Sequence, residues 1–131
     1  MKKRCTAIVL AAGGGRRMNS TVAKQFMPLG GRPLLWYSLQ AVEQSAIIDD
    51  CILVTGKDDL AYVGREIVEK YGFDKVDLMV PGGRERWESV ANAVEALASP
   101  DRRIPNRDGY VFIHDGARPF LNEEILVRTY E

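Results

Sequence analysis

The stretch "TAIVLAAGGGRRM", Thr6 to Met18, decides the architecture. Its opening run, Thr6 to Ala11, is of strand length and almost wholly apolar, the pattern of a strand buried on both faces in a parallel sheet. Three glycines and two arginines follow at once. Glycine frees the backbone to reach φ > 0 and leaves main-chain N–H groups open to a ligand, so a glycine triplet followed by cations points to phosphate. Lys24 brings the loop to three cations, Arg16, Arg17 and Lys24, with no carboxylate between Leu10 and Gln25.

Working outward, strands and helices alternate. Pro33 suits a first helical turn, and Leu35, Leu39 and Val42 keep helical spacing after it. Asp50 to Thr55 reads as a second strand. Leu60, Val63, Ile67 and Tyr71 fall on one face of a helix that Gly72 ends. Val76 to Val80 reads as a third strand, and Trp87, Val90, Val94 and Leu97 set the apolar face of the next helix, which Pro100 stops. Gly109 to Ile113 is a fourth strand, with a last helix expected from about Asn122. Such alternation implies a doubly wound α/β sheet, mainly parallel, with right-handed crossovers. The polar stretch Ser99 to Gly109 is expected to be a surface connection, and residues 1–131 a single domain.

Composition narrows the functional classes. With 46% hydrophobic residues the chain can bury a core, and eighteen basic residues balance eighteen acidic ones. No global charge attracts it to nucleic acid or to an anionic membrane, so phosphate binding has to be local. The apolar run behind Met1 to Arg4 is too short for a signal peptide, and no run reaches the ~20 residues of a membrane span. Cys5 and Cys51 form no metal-ligand or CxxC spacing and are expected to be reduced, semi-buried thiols of a cytoplasmic protein.

In doubly wound sheets ligands bind beyond the carboxyl ends of the strands. Three loops emerge there, "AAGGGRRMNSTVAK", "PGGRERWES" and "HDGARP", and all three combine glycine with charge. The first lacks the GK[ST] ending of a P-loop. It also departs from GxGxxG, because Met18 stands where the third glycine belongs. Gly82 and Gly83 precede a helix N-terminus, which offers free N–H groups, and Ser89 sits a turn into that helix. His114 is the only histidine, and a lone histidine at a strand end reads as structural. Asp115, beyond a buried strand, is suited to face a cation or substrate.

Taken together, "AAGGGRRM", Lys24-Gln25-Phe26, "GGRERWESV" and "VFIHDGARPF" resemble, in order and spacing, the 2-C-methyl-D-erythritol 4-phosphate cytidylyltransferases, over essentially the whole chain. The resemblance implies a Rossmann-like nucleotidyltransferase fold, truncated relative to the family, and an enzyme that joins CTP to methylerythritol phosphate with Mg²⁺, releasing pyrophosphate. It makes Arg17 and Lys24 the catalytic cations. Ala11, Ala12, Gly13, Gly14 and Gly15 would wrap the nucleotide, and Gly82, Gly83 and Ser89 would hold cytosine. Asp115 and Gly116 would lie by the ribose and the metal, with Mg²⁺ carried mainly on the CTP phosphates and met by Asp115 directly or through water. Arg84 and Glu88 stand where Asp is commoner in the family. Family members are homodimers whose dimerising arm and acceptor-positioning residues belong to a second half. The expected partners are therefore CTP and a sugar-alcohol phosphate, with no nucleic acid and no membrane. Two alternatives remain at this level: a ribitol 5-phosphate cytidylyltransferase and a non-catalytic nucleotide-binding module.

Overall fold

The computed structural model describes residues 4–11, 28–29, 32–97, 99–100, 102 and 109–115. In chain order the elements are β1 (Cys5–Ala11), a two-residue pairing of β2 (Pro28–Leu29) with β3 (Arg32–Pro33), α1 (Leu34–Gln44), β4 (Asp50–Thr55), α2 (Leu60–Val63), β5 (Val76–Pro81), α3 (Arg86–Ala96) and β6 (Tyr110–Asp115). A 3-10 turn, Lys57–Asp59, leads into α2, and a π-type turn, Gly64–Glu69, continues it. Gly72 then closes this helical stretch at φ +69°, where glycine alone is unstrained. The small β2–β3 pairing has no counterpart in the sequence reading, and the helix expected from Asn122 lies outside the described residues.

The long strands form one parallel sheet in the order β5-β4-β1-β6. Alternate residues of β1 and β4 supply two cores. Cys5, Ala7, Val9, Ala11, Cys51 and Leu53 pack against α1 and the α2 stretch through Leu35, Leu39, Val42, Val63, Ile67 and Phe73. Ile8, Leu10, Ile52 and Val54 pack on the opposite face against Ala93 of α3. Full burial of each Val, Leu, Ile or Phe among them stabilises by ~1.5–3 kcal/mol, so a sheet covered on both faces is what these apolar runs favour. Two crossovers step one way with their helices on one face. The third returns past β1 with α3 on the other face, as a single crossover hand requires.

Three local expectations are corrected. α3 does not bury Trp87 and Val94, which are 70% and 48% exposed; its inward side carries Ser89 and Ala93, with Val90 and Leu97 packed alongside. The reason lies at its start, where the turn before α3 claims Ser89 and so sets the helix's rotation. Both cysteines are fully rather than partly buried. Burial first, and then the carboxylates of Asp77 and Asp50, hold the Cys51 thiol far above the ordinary thiol range, which makes it unreactive.

The third correction is Arg102, in the stretch expected to be surface. Its side chain is fully buried, 2.9 Å from Asp50 and 3.2 Å from Asp77, and it also donates to the Leu97 carbonyl. Asp50 further pairs with Arg4 at 2.6 Å and accepts from the Thr6 hydroxyl. Two cations thus balance two carboxylates at the amino end of the sheet, the end opposite the loops that carry the candidate site. Removing one member of a buried set like this typically costs ~3–5 kcal/mol, because the partner's charge stays behind.

Candidate functional site

The strand register gathers the candidate loops along one edge. Ala11 pairs with Thr55, Thr55 with Pro81, and Leu10 with Asp115, so the carboxyl ends of all four long strands finish nearly level. Strand order reverses beside β1, since β4 and β5 continue to one side of it and β6 lies on the other. Crevices at such switch points are where open α/β sheets bind their ligands. The glycine and arginine loop leaves β1 at this point. Of its predicted cradle Ala11 is described, buried at the rim; Ala12, Gly13, Gly14, Gly15, Arg17 and Lys24 lie outside the described residues. Arg32, where the chain returns before α1, lies 4.4 Å from the ring of Trp36, a cation–π contact that sequence spacing did not suggest.

The turn after β5 is held from several sides. The Gly82 N–H donates to the Thr55 carbonyl at 2.8 Å, and the Gly83 N–H donates to Ser89 Oγ at 3.1 Å. Asn92 Nδ2 donates to the Pro81 carbonyl at 3.0 Å. Glu85 is the N-cap of α3, in extended conformation, and Glu88 returns a carboxylate oxygen to the Glu85 N–H at 3.1 Å within a capping box. Gly83 needs to be glycine for space: a Cβ there would stand 2.3 Å from Glu88 Cβ. Its φ is not positive, so close approach rather than backbone freedom explains it.

These bonds decide what the turn offers a ligand. Both glycine N–H groups are spent inside the protein, whereas the Gly82 and Gly83 carbonyls have no hydrogen-bond partner among the described residues. In a trans peptide the C=O points opposite to the N–H of the same unit. The Gly82 carbonyl therefore faces away from Ser89 and α3. The turn presents acceptors, which suit an amine rather than another carbonyl. Ser89, 4% exposed, sits inside the turn as its brace.

At the other side of the switch point, His114 Nε2 lies 3.2 Å from the buried Ser38 hydroxyl of α1, the structural tie that a lone histidine at a strand end suggested. Asp115 follows it as the last residue of β6, level with Leu10, while Gly116 lies outside the described residues. Among the described residues no three His, Cys, Asp or Glu side chains converge as a metal-ligand cluster, and no helix is long and apolar enough to cross a membrane. Sequence reasoning missed Asn92 and the capping role of Glu88. The spacing Glu85-x-x-Glu88 was the available signal for the latter.

A parallel sheet of this order, with helices on both faces, defines a Rossmann-like doubly wound α/β fold. The chain belongs to the 2-C-methyl-D-erythritol 4-phosphate cytidylyltransferase family, whose sequence profile matches residues 5–131. It is 47% identical over 124 residues to the 2-C-methyl-D-erythritol 4-phosphate cytidylyltransferase of Lachnoclostridium phytofermentans, covering 95% of this chain and 49% of that protein. The enzyme of the same name from Lachnospira eligens is 43% identical, with 96% and 52% covered. The crystal structure of 4-diphosphocytidyl-2C-methyl-D-erythritol synthase from Anaerococcus prevotii superposes with a TM-score of 0.72 at 34% identity, over 97% of this chain and 49% of that one. The chain thus spans about half the length of the curated relatives it matches.

Proposed function

We propose that this chain is the CTP-binding part of a cytidylyltransferase that joins CTP to 2-C-methyl-D-erythritol 4-phosphate, releasing pyrophosphate. The observation that supports the reading is the level row of strand ends, with Ala11, the Pro81–Gly83 turn and Asp115 along one edge of the sheet in a member of this family. The acceptor's phosphate oxygen attacks the α-phosphorus of CTP in line, and pyrophosphate leaves with the electrons of the broken P–O bond. Such a reaction needs positioning and charge neutralisation more than an acid or a base. Arg17 and Lys24 are the side chains assigned to the charge that grows on the phosphate oxygens, with Ala11 to Gly15 enclosing the triphosphate. The carbonyl-rich turn supports cytosine over uracil, since cytosine carries an exocyclic amine where uracil carries a carbonyl. Ser89 holds the Gly82–Gly83 peptide so that its carbonyl, and not its N–H, faces the base.

Mg²⁺ is usually held by one or two carboxylates together with substrate phosphates. Asp115, the last residue of β6, is the residue assigned to it, and Mg²⁺ would neutralise phosphate charge. Calorimetric titration with CTP and Mg²⁺ tests binding in this chain. Pyrophosphate release tests turnover, in a chimera that continues the chain with the second half of the Lachnoclostridium phytofermentans relative. Release with methylerythritol phosphate and not with ribitol 5-phosphate is expected. The opposite preference would reassign the acceptor, and CTP binding without release in the chimera would leave a binding module.

A further inference from the structure

Asn92 stands one helical turn beyond Glu88 on α3, and its amide reaches the Pro81 carbonyl at 3.0 Å. The Pro81–Gly82 peptide is thereby clamped at both ends, because its N–H is held by the Thr55 carbonyl at 2.8 Å. The proline ring fixes φ at Pro81, so the tilt of this peptide plane rests on ψ alone. The Gly82 carbonyl is aimed between this plane and the Ser89 bond to the Gly83 N–H, and Gly82 has no Cβ to restrain it locally, so both anchors are needed.

We propose that Asn92 is a positioning residue for base selection: by fixing the Pro81–Gly82 peptide plane it aims the Gly82 carbonyl at the exocyclic amine of cytosine. The assignment rests on the reading of this turn as the base site. Asn92 itself touches neither nucleotide nor reacting atoms. Its side chain is exposed, so truncating it opens no core cavity, and the capping box and the Ser89 brace remain in place. A merely structural role would shift thermal stability slightly and leave the ratio of CTP to UTP affinity alone.

The test is isothermal calorimetry of the whole chain with CTP and with UTP in the presence of Mg²⁺, for the wild type, Asn92→Ala and Asn92→Asp, each with its thermal midpoint. The wild type is expected to prefer CTP. Both variants are expected to reduce the CTP/UTP affinity ratio by ~5–10-fold, the scale of one hydrogen bond. Asn92→Asp keeps the shape and loses the donor, so it decides the matter if the alanine variant does not fold. Its added charge acts on both triphosphates alike and cancels in the ratio. An unchanged ratio in a folded variant, with the wild type preferring CTP, overturns the role of Asn92 alone. A wild-type chain that binds CTP no better than UTP overturns the base-site reading and this assignment with it.

Discussion

Gly83→Ala is expected to disrupt the turn for a reason that can be traced to one pair of atoms. The new Cβ would meet Glu88 Cβ at 2.3 Å, with the Glu88 carboxylate carbon and one oxygen both at 3.2 Å. The far end of a glutamate can swing aside, but Cβ is fixed to the helix, so either α3 or the turn has to shift. Overpacking of this kind typically costs ~1–3 kcal/mol. A shift of the turn also lengthens the Gly83 N–H to Ser89 bond, leaving a part-buried donor unpaired. Urea unfolding of wild type, Gly83→Ala, Glu88→Ala and Glu88→Gly, with the two double variants, separates the causes. Glu88→Ala removes the capping carboxylate and keeps Cβ, so it should not relieve the clash. Glu88→Gly removes Cβ as well. It costs ~1 kcal/mol of helix propensity on its own, yet should couple favourably with Gly83→Ala by ~1–3 kcal/mol. CTP affinity should fall with Gly83→Ala and recover in part in the Gly83→Ala, Glu88→Gly chain. Stability of Gly83→Ala equal to wild type, or equal coupling with Glu88→Ala and Glu88→Gly, would refute the steric account.

Ser89→Ala should narrow the CTP/UTP affinity ratio, because the Gly82–Gly83 peptide becomes free to turn its N–H toward uracil, and an unchanged ratio in competition binding would confine Ser89 to packing. In the chimera with a relative's second half, Arg17→Ala and Lys24→Ala should each lower turnover by ~10²–10³ while weakening CTP binding far less. Equal losses in both would make them ground-state anchors. Arg102→Met should destabilise the chain by ~3–5 kcal/mol in urea unfolding, since it strands Asp77. Adding Asp77→Asn should recover much of that loss, and no recovery would mean that Arg102 matters through packing alone.

Much of the fold was legible because its signals are local and repeated. The apolar runs at Cys5–Ala11 and Asp50–Thr55 are buried at every position, as continuous apolar runs bounded by polar residues suggest. Leu35, Leu39 and Val42 kept their helical spacing as a buried stripe. α3 resisted because its apolar residues encircle it: Trp87 and Val94 lie on one side, Val90, Ala93 and Leu97 on another. Either stripe satisfies a period of 3.6, and the bond from Gly83 to Ser89, across a turn the helical period does not register, favours the one that is buried. Arg102 was hidden by distance along the chain. Its two carboxylate partners lie 52 and 25 positions earlier in the chain, on strands whose apolar residues drew all the attention.

The candidate site divides along the same line. Its place at the carboxyl ends of the strands was readable from three loops, each of which combines glycine with charge. Its selectivity was not, because that depends on which backbone groups are already spent. Sequence alone assigns Gly82 and Gly83 equal numbers of donors and acceptors. The fold spends both donors, on Thr55 and on Ser89, and gives the carbonyls no partner among the described residues. The serine that the resemblance assigns to cytosine also accepts one of those donors, and on the proposed reading it acts by holding that peptide. An asparagine with no catalytic signature in the sequence holds the Pro81 carbonyl, and is proposed to aim an acceptor. Selectivity of this kind is carried by a peptide plane, and the side chains that set it need not touch the ligand they help to choose.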